Sequence, residues 1–181
     1  MKNLLKTFLI LYSFEALAVG RLDFSYGYFS INAKTKDKSG SLSSPTAANL
    51  AYLYSITEKI ALNVGYTILL ADLAASDKGY GLNMGFNYYL FSSSKNEKLI
   101  NDNIEVERYQ LWRPYTGFGF YQRDFQSIKD SYAGFGLSLG TERYYNKDMS
   151  FKGEIRTIAL SGSNEASAFE VNAFFGVLFN I

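Results

Sequence analysis

Lys152, Glu154 and Arg156 stand two residues apart. In an extended strand that spacing puts all three side chains on one face. Arg21, Asp23, Arg113, Arg123, Glu142 and Glu170 hold matching alternate positions on other apolar-patterned stretches. Two carboxylates brought close can act as acid and base on a glycosidic bond. The interleaved cations favour a different reading, in which Glu142 and Glu154 are ion-pair partners. A network of Arg113, Glu142, Lys152, Glu154, Arg156 and Glu170 is either a static polar plug or a gated ion path with switching salt bridges. Histidine is absent. That removes Ser–His nucleophilic catalysis, histidine general bases and histidine metal ligands together. Cysteine is absent as well, so there is neither a disulfide framework nor a thiolate metal site. Asp72, Asp77, Asp124 and Asp130 lack the spacing of a calcium loop. We therefore expect a non-enzyme with no cofactor and no metal centre.

The elements that position these charges are strands. From Ala168 to Ile181 the odd positions (Phe169, Val171, Ala173, Phe175, Val177, Phe179 and Ile181) are all apolar. The even positions mix Glu170, Asn172, Gly176 and Asn180 with Ala168, Phe174 and Leu178. The same period of two predicts strands over about Arg21–Ala33, Thr46–Ile56, Ile60–Leu70 and Tyr80–Leu90. It continues over Leu111–Asp124, Ala133–Glu142 and Met149–Ala159. With the last strand this makes about eight strands of about ten residues, joined as consecutive hairpins. Pro114 cannot donate to a ladder, so it belongs near a strand start or at a bulge. Lys34–Ser44 and 72–77 read as loops, with Pro45 preceding the second strand, and Asn146–Asp148 as a tight turn. The polar segment 92–107 is either an unusually long turn or an extension of the neighbouring strands beyond the bilayer, carried by Ile100, Ile104 and Val106.

Face polarity separates two kinds of barrel. A soluble lipocalin-like carrier is apolar inside and polar outside. Here one face is almost unbroken Leu, Ile, Phe and Tyr, while the other carries Gly, Asn, Ser and all the charges of the network. The glycines make sense if the mixed face lines a narrow lumen. Hydropathy agrees: 48% of residues are hydrophobic, yet the mean hydropathy is only -0.08, as one-for-one alternation requires. We expect an all-β, eight-stranded antiparallel up-and-down transmembrane barrel, with the lumen just wide enough for side chains to fill.

The N-terminus reads as a secretory signal: Lys2 and Lys6, the short apolar run Thr7–Phe14, then Ala16-Leu17-Ala18 as a small-x-small cleavage site. This predicts a signal peptide over 1–18 and a barrel over 19–181. Removing 1–18 leaves 16 basic and 16 acidic residues from 18 and 17, so nothing points to nucleic acid. Trp112 and Tyr145 suit an interfacial girdle. Lys34, Lys36 and Lys38 suit a solvated loop able to touch lipopolysaccharide phosphates.

Three stretches resemble the small outer-membrane barrels of the OmpA/OmpX type and the related opacity-like surface-antigen porins. These are Arg113-Pro114-Tyr115-Thr116-Gly117-Phe118-Gly119, the strand–turn–strand Gly140–Arg156, and the terminal strand. The resemblance implies an integral, monomeric outer-membrane protein with a structural or surface-interaction role. It implies that Phe175, Val177, Phe179 and Ile181 form the signal read by the barrel-assembly machinery. It also implies outer-membrane lipid and lipopolysaccharide as surroundings. The chain stops at the barrel, so no periplasmic peptidoglycan-binding domain of the OmpA kind is expected, and its last residue is Ile181 where such barrels usually carry Phe or Trp. The competing expectations are a narrow channel for ions or small apolar solutes, as in OmpW-type barrels, a surface adhesin, and a periplasmic carrier.

Overall fold

The structure is a computed structural model of the 181-residue chain. It describes residues 20–34, 39–70, 78–92, 94–98, 105–109, 112–125, 130–146, 148–163 and 165–181. The expected signal peptide, Lys36, Lys38, Asp72, Asp77, Ile100 and Ile104 lie outside these residues. Among the described residues ten strands form: β1 (Gly20–Lys34), β2 (Ser39–Ser55), β3 (Ile60–Leu70), β4 (Lys78–Tyr89), β5 (Ser94–Lys98), β6 (Glu105–Tyr109), β7 (Trp112–Phe125), β8 (Asp130–Tyr144), β9 (Met149–Ser161) and β10 (Ser167–Asn180). Eight of them close a barrel in the order β1-β10-β9-β8-β7-β4-β3-β2, all pairs antiparallel.

Alternation decides which face each residue takes. Leu139 is 69% exposed, Leu82 58% and Phe86 53%, while Arg123, Glu142 and Glu170 are 0% exposed. The apolar rows face outward and the charges inward, the polarity of a transmembrane barrel and the reverse of a lipocalin. Ring pairs run across the outer face between neighbouring strands, with centroids of Phe118 and Phe135 5.7 Å apart and Phe151 and Phe175 6.2 Å apart. Lumen glycines leave room for rings: a Cβ at Gly140 would lie 2.7 Å from Cε1 of Tyr115, its cross-strand partner.

β1 and β10 close the barrel from Arg21↔Asn180 to Lys34↔Ser167, and the Ile181 amide donates to the Gly20 carbonyl at 2.9 Å. Both described chain ends therefore lie at one end of the barrel, together with the turn at 56–59 and with Tyr145, Asn146 and Asp148. We call this the terminus end. The strand ends at Lys34, Ser39, Leu70, Lys78, Phe125, Asp130, Ser161 and Ser167 lie at the opposite end.

Two expectations about local structure are corrected. The expected loop Lys34–Ser44 is mostly strand: Ser39–Ser44 pairs with β1 up to Lys34↔Ser39. Pro45 lies within β2, not before it, where the register with β1 shifts between Gly27 and Phe29. A bulge tolerates a residue without an N–H. The segment 92–107 carries β5 and most of β6, which pair with each other from Ser94↔Tyr109 to Lys98↔Glu105 in a ladder of their own and follow on from the β4–β7 pairing at Tyr89↔Tyr115; Ile100 and Ile104 lie outside the described residues. Pro114 sits third in β7, near the strand start, where its carbonyl still accepts from the Leu90 amide at 3.0 Å.

Because the β5–β6 ribbon shares no ladder with the barrel, it should be dispensable for folding. Replacing residues 94–109 with a short Asn-Gly turn is expected to shift the unfolding free energy by less than about 0.5 kcal/mol. Urea titration in lipid vesicles checks this, and loss of the heat-shifted folded band on gels would contradict it.

Candidate functional site

The charged lumen is built from the inward positions of β1 and β7–β10. At the terminus end, Arg21 Nη1 donates to Glu142 Oε2 at 2.7 Å and Arg21 Nη2 to the Tyr89 hydroxyl at 2.8 Å. The Tyr89 hydroxyl in turn donates to Glu142 Oε1 at 2.5 Å. Arg113 packs its guanidinium 3.9 Å from the centre of the Tyr89 ring, with Nη1 3.7 Å from Glu142 Oε2. It also donates to the Glu58 carbonyl at 2.8 Å, the Phe91 carbonyl at 3.2 Å and the Tyr144 hydroxyl at 3.0 Å. One side chain thus ties the turn after β2 to the segment leaving β4.

Further in, Asp23 accepts from both Ser25 and Lys152. Lys152 Nζ is also 3.6 Å from Glu154 Oε2. Glu154 accepts from the Tyr115 hydroxyl at 2.6 Å and from Arg156 Nη2 at 2.6 Å. The Arg156 guanidinium lies over the rings of Tyr121 and Phe174, at 5.3 Å and 5.2 Å. Each carboxylate in this stretch has at least two donors, which is what keeps buried charge tolerable.

A separate pair lies toward the opposite end. Arg123 donates from Nε and Nη2 to Glu170, each at 3.0 Å, and from Nη1 to the Gln122 carbonyl at 3.0 Å. Asn172 Nδ2 adds a bond to Glu170 Oε1 at 2.6 Å. Around this pair the interior is apolar, with Phe29, Ile31, Leu69, Ile158, Leu160 and Tyr132 in one buried cluster. The wall formed by β2–β4 is uncharged in its described inward positions and mixes Asn49, Asn63, Thr67, Asn83 and Asn87 with Ala51, Leu53 and Leu69; Thr67 Oγ1 lies 3.0 Å from Asn49 Oδ1 and 3.2 Å from Asn83 Oδ1.

The residues singled out from sequence therefore fall into three groups. Arg113 meets Glu142, and Lys152, Glu154 and Arg156 meet one another; Glu170 instead pairs with Arg123 from β7. Sequence reading missed Tyr89 and Tyr115 as connectors, although both follow the inward parity of their strands. Phe175, Val177, Phe179 and Ile181 share the outer side of β10, with the Phe179 ring 6.1 Å from that of Phe24. Trp112 and Tyr145 are exposed near the terminus end, with Arg143 stacked 5.3 Å from the Trp112 ring centre.

A closed eight-stranded wall, apolar outside and charged inside, defines the small transmembrane β-barrels. Solved structures agree on that fold. The crystal structure of Neisserial surface protein A (NspA) is similar, with 16% identity, 91% of this chain and 97% of that chain covered, and a TM-score of 0.58. The N-terminal β-barrel domain of Pseudomonas aeruginosa OprF is similar with 13% identity, 89% and 97% coverage and a TM-score of 0.54. At these identities the likeness is one of fold. No protein-family model and no curated protein matches the chain.

Proposed function

We propose that this is an integral, monomeric outer-membrane barrel with a structural or surface-interaction role, its lumen plugged by paired charges. One observation carries the reading. Arg21–Glu142, Lys152–Asp23 and Arg123–Glu170 pair between non-adjacent strands and Arg156–Glu154 pairs along β9, with every one of these side chains at most 4% exposed. An eight-stranded lumen is just wide enough to be filled by such side chains. The outward apolar rows support residence in lipid, since charge there would be costly and none appears among Leu62–Ile68 or Leu82–Tyr88 on that face.

Further parts of the reading rest on resemblance and chemistry. Residues 1–18 are removed as a signal peptide. The outer side of β10, from Phe175 through Val177 and Phe179 to Ile181, is what the barrel-assembly machinery reads. Lys34, exposed at the end of β1, contacts lipopolysaccharide phosphate. The protein is not an enzyme: the histidine-free chain offers paired carboxylates whose partners are cations.

Planar-bilayer recording of refolded protein tests the plug. We expect no single-channel steps above the lipid baseline at neutral pH. Sustained steps would replace the plug with the narrow-channel reading.

A further inference from the structure

The interior is not uniformly satisfied. Among the described residues, the buried side-chain atoms without a protein hydrogen-bond partner are Arg21 Nε, Asn49 Nδ2, Asn63 Oδ1, Asn87 Nδ2, Arg156 Nε and Nη1, and Asn172 Oδ1. Their heights in the barrel follow from register. One pairing row starts at Ile31 and passes through Glu170, Ile158, Gly136, Gly119, Gly85, Asn63 and Leu53. It returns to β1 at Arg21, much nearer the terminus end. Tilted strands make every row descend in that sense. The row from Phe29 descends likewise through Asn172, Arg156, Ser138, Gly117 and Asn87.

The unsatisfied atoms therefore run from the terminus end to mid-barrel, at Arg156 and Asn172. Above them comes the apolar cluster of Phe29, Ile31, Leu69, Ile158 and Leu160. The ion pair inside that cluster is complete without solvent: Arg123 uses all three nitrogens on Glu170 and Gln122, and neither side chain has an orphaned atom. Buried polar atoms without a protein partner call for water, and an apolar, internally satisfied layer excludes it.

We infer that the lumen is a blind, hydrated well, filled with water from the terminus end to Arg156 and Asn172. It is sealed by the apolar collar around Arg123–Glu170 and not by the salt bridges below. This rests on the reading of a filled, non-conducting lumen and moves the seal from the paired charges to the collar. The collar works as hydrophobic constrictions do, by refusing water, and with it any hydrated ion. The salt bridges fill the well but leave water a path between them.

The chain has no cysteine, so an introduced thiol is unambiguous. Asn63→Cys, Asn172→Cys, Leu69→Cys and Leu160→Cys are refolded in lipid vesicles, and each fold is verified by heat-shifted gel mobility. Silver ion, a thiol-reactive cation small enough to follow water, is then added, and remaining thiol is titrated over time. The two asparagine sites are expected to react at least about ten-fold faster than the two collar sites, since access to silver ion requires water. Equal rates, or faster reaction in the collar, would overturn the inference. In a second arm, Ile158→Ser combined with Leu160→Ser is expected to give single-channel steps where the parent gives none, by wetting the collar. A folded but silent double variant would also overturn it. A parent that conducts would sink the plug itself; a silent parent with equal thiol rates would sink only the collar.

Discussion

Replacing Glu142 with alanine is expected to cost about 3–5 kcal/mol of folded-state stability, because it leaves buried cations without their carboxylate. Glu142 is 0% exposed and serves three partners: Arg21 at 2.7 Å, Tyr89 at 2.5 Å and Arg113 at 3.7 Å. Its loss strands two guanidiniums and a hydroxyl at once. Exposed Arg143 is the natural contrast, since its charge faces outward beside Trp112. Arg143→Ala is expected to cost less than about 1 kcal/mol, the scale of exposed charge and cation–π contacts. Urea unfolding in lipid vesicles, followed by the heat-shifted gel band, reads both. Equal costs for the two variants would mean that the lumen charges are not the coupled network described.

The second large effect concerns the outer face. Leu82→Arg is expected to destabilise the inserted barrel by about 2–4 kcal/mol, the penalty for a cation near the bilayer midplane. Leu82 lies in the middle of β4, is 58% exposed, and is paired with Tyr66 in a row of outward apolar residues. Leu82→Ala separates lost apolar area from charge and should cost much less, because lipid still meets an apolar surface. The same vesicle titration distinguishes them. Were arginine and alanine tolerated alike, the outward rows would not be facing hydrocarbon.

Where the outer face is lipid-like, the fold was legible in the sequence. Ile60–Leu70 was placed to the residue, because Asn63, Gly65 and Thr67 alternate with Leu62, Val64, Tyr66 and Ile68. Alternation fails where both faces are polar. Ser39–Ser44 is strand, yet Ser and Gly give no contrast to read, and Pro45 argued for a boundary where the chain uses a bulge. The β5–β6 ribbon was obscured for the same reason: Ser94–Lys98 and Glu105–Tyr109 carry charge on both faces. Parity told which charges point inward, but not who meets whom. That depends on the stagger accumulated around the closed wall, which brings Arg123 of β7 to Glu170 of β10 although two strands lie between them. Tyr89 and Tyr115 obeyed parity too, but an aromatic on an inward face does not announce a carboxylate partner.

The seam between β1 and β10 has a kinetic consequence. It joins the earliest and latest strands of the described chain, so the final ladder is also the contact of greatest sequence separation. Loop-closure entropy is spent before that ladder repays it, which makes slow folding intrinsic to this topology. Until the seam forms, two long strand edges stay open to any neighbouring polypeptide, and dilution or a holdase should therefore raise refolding yield more than it raises the rate.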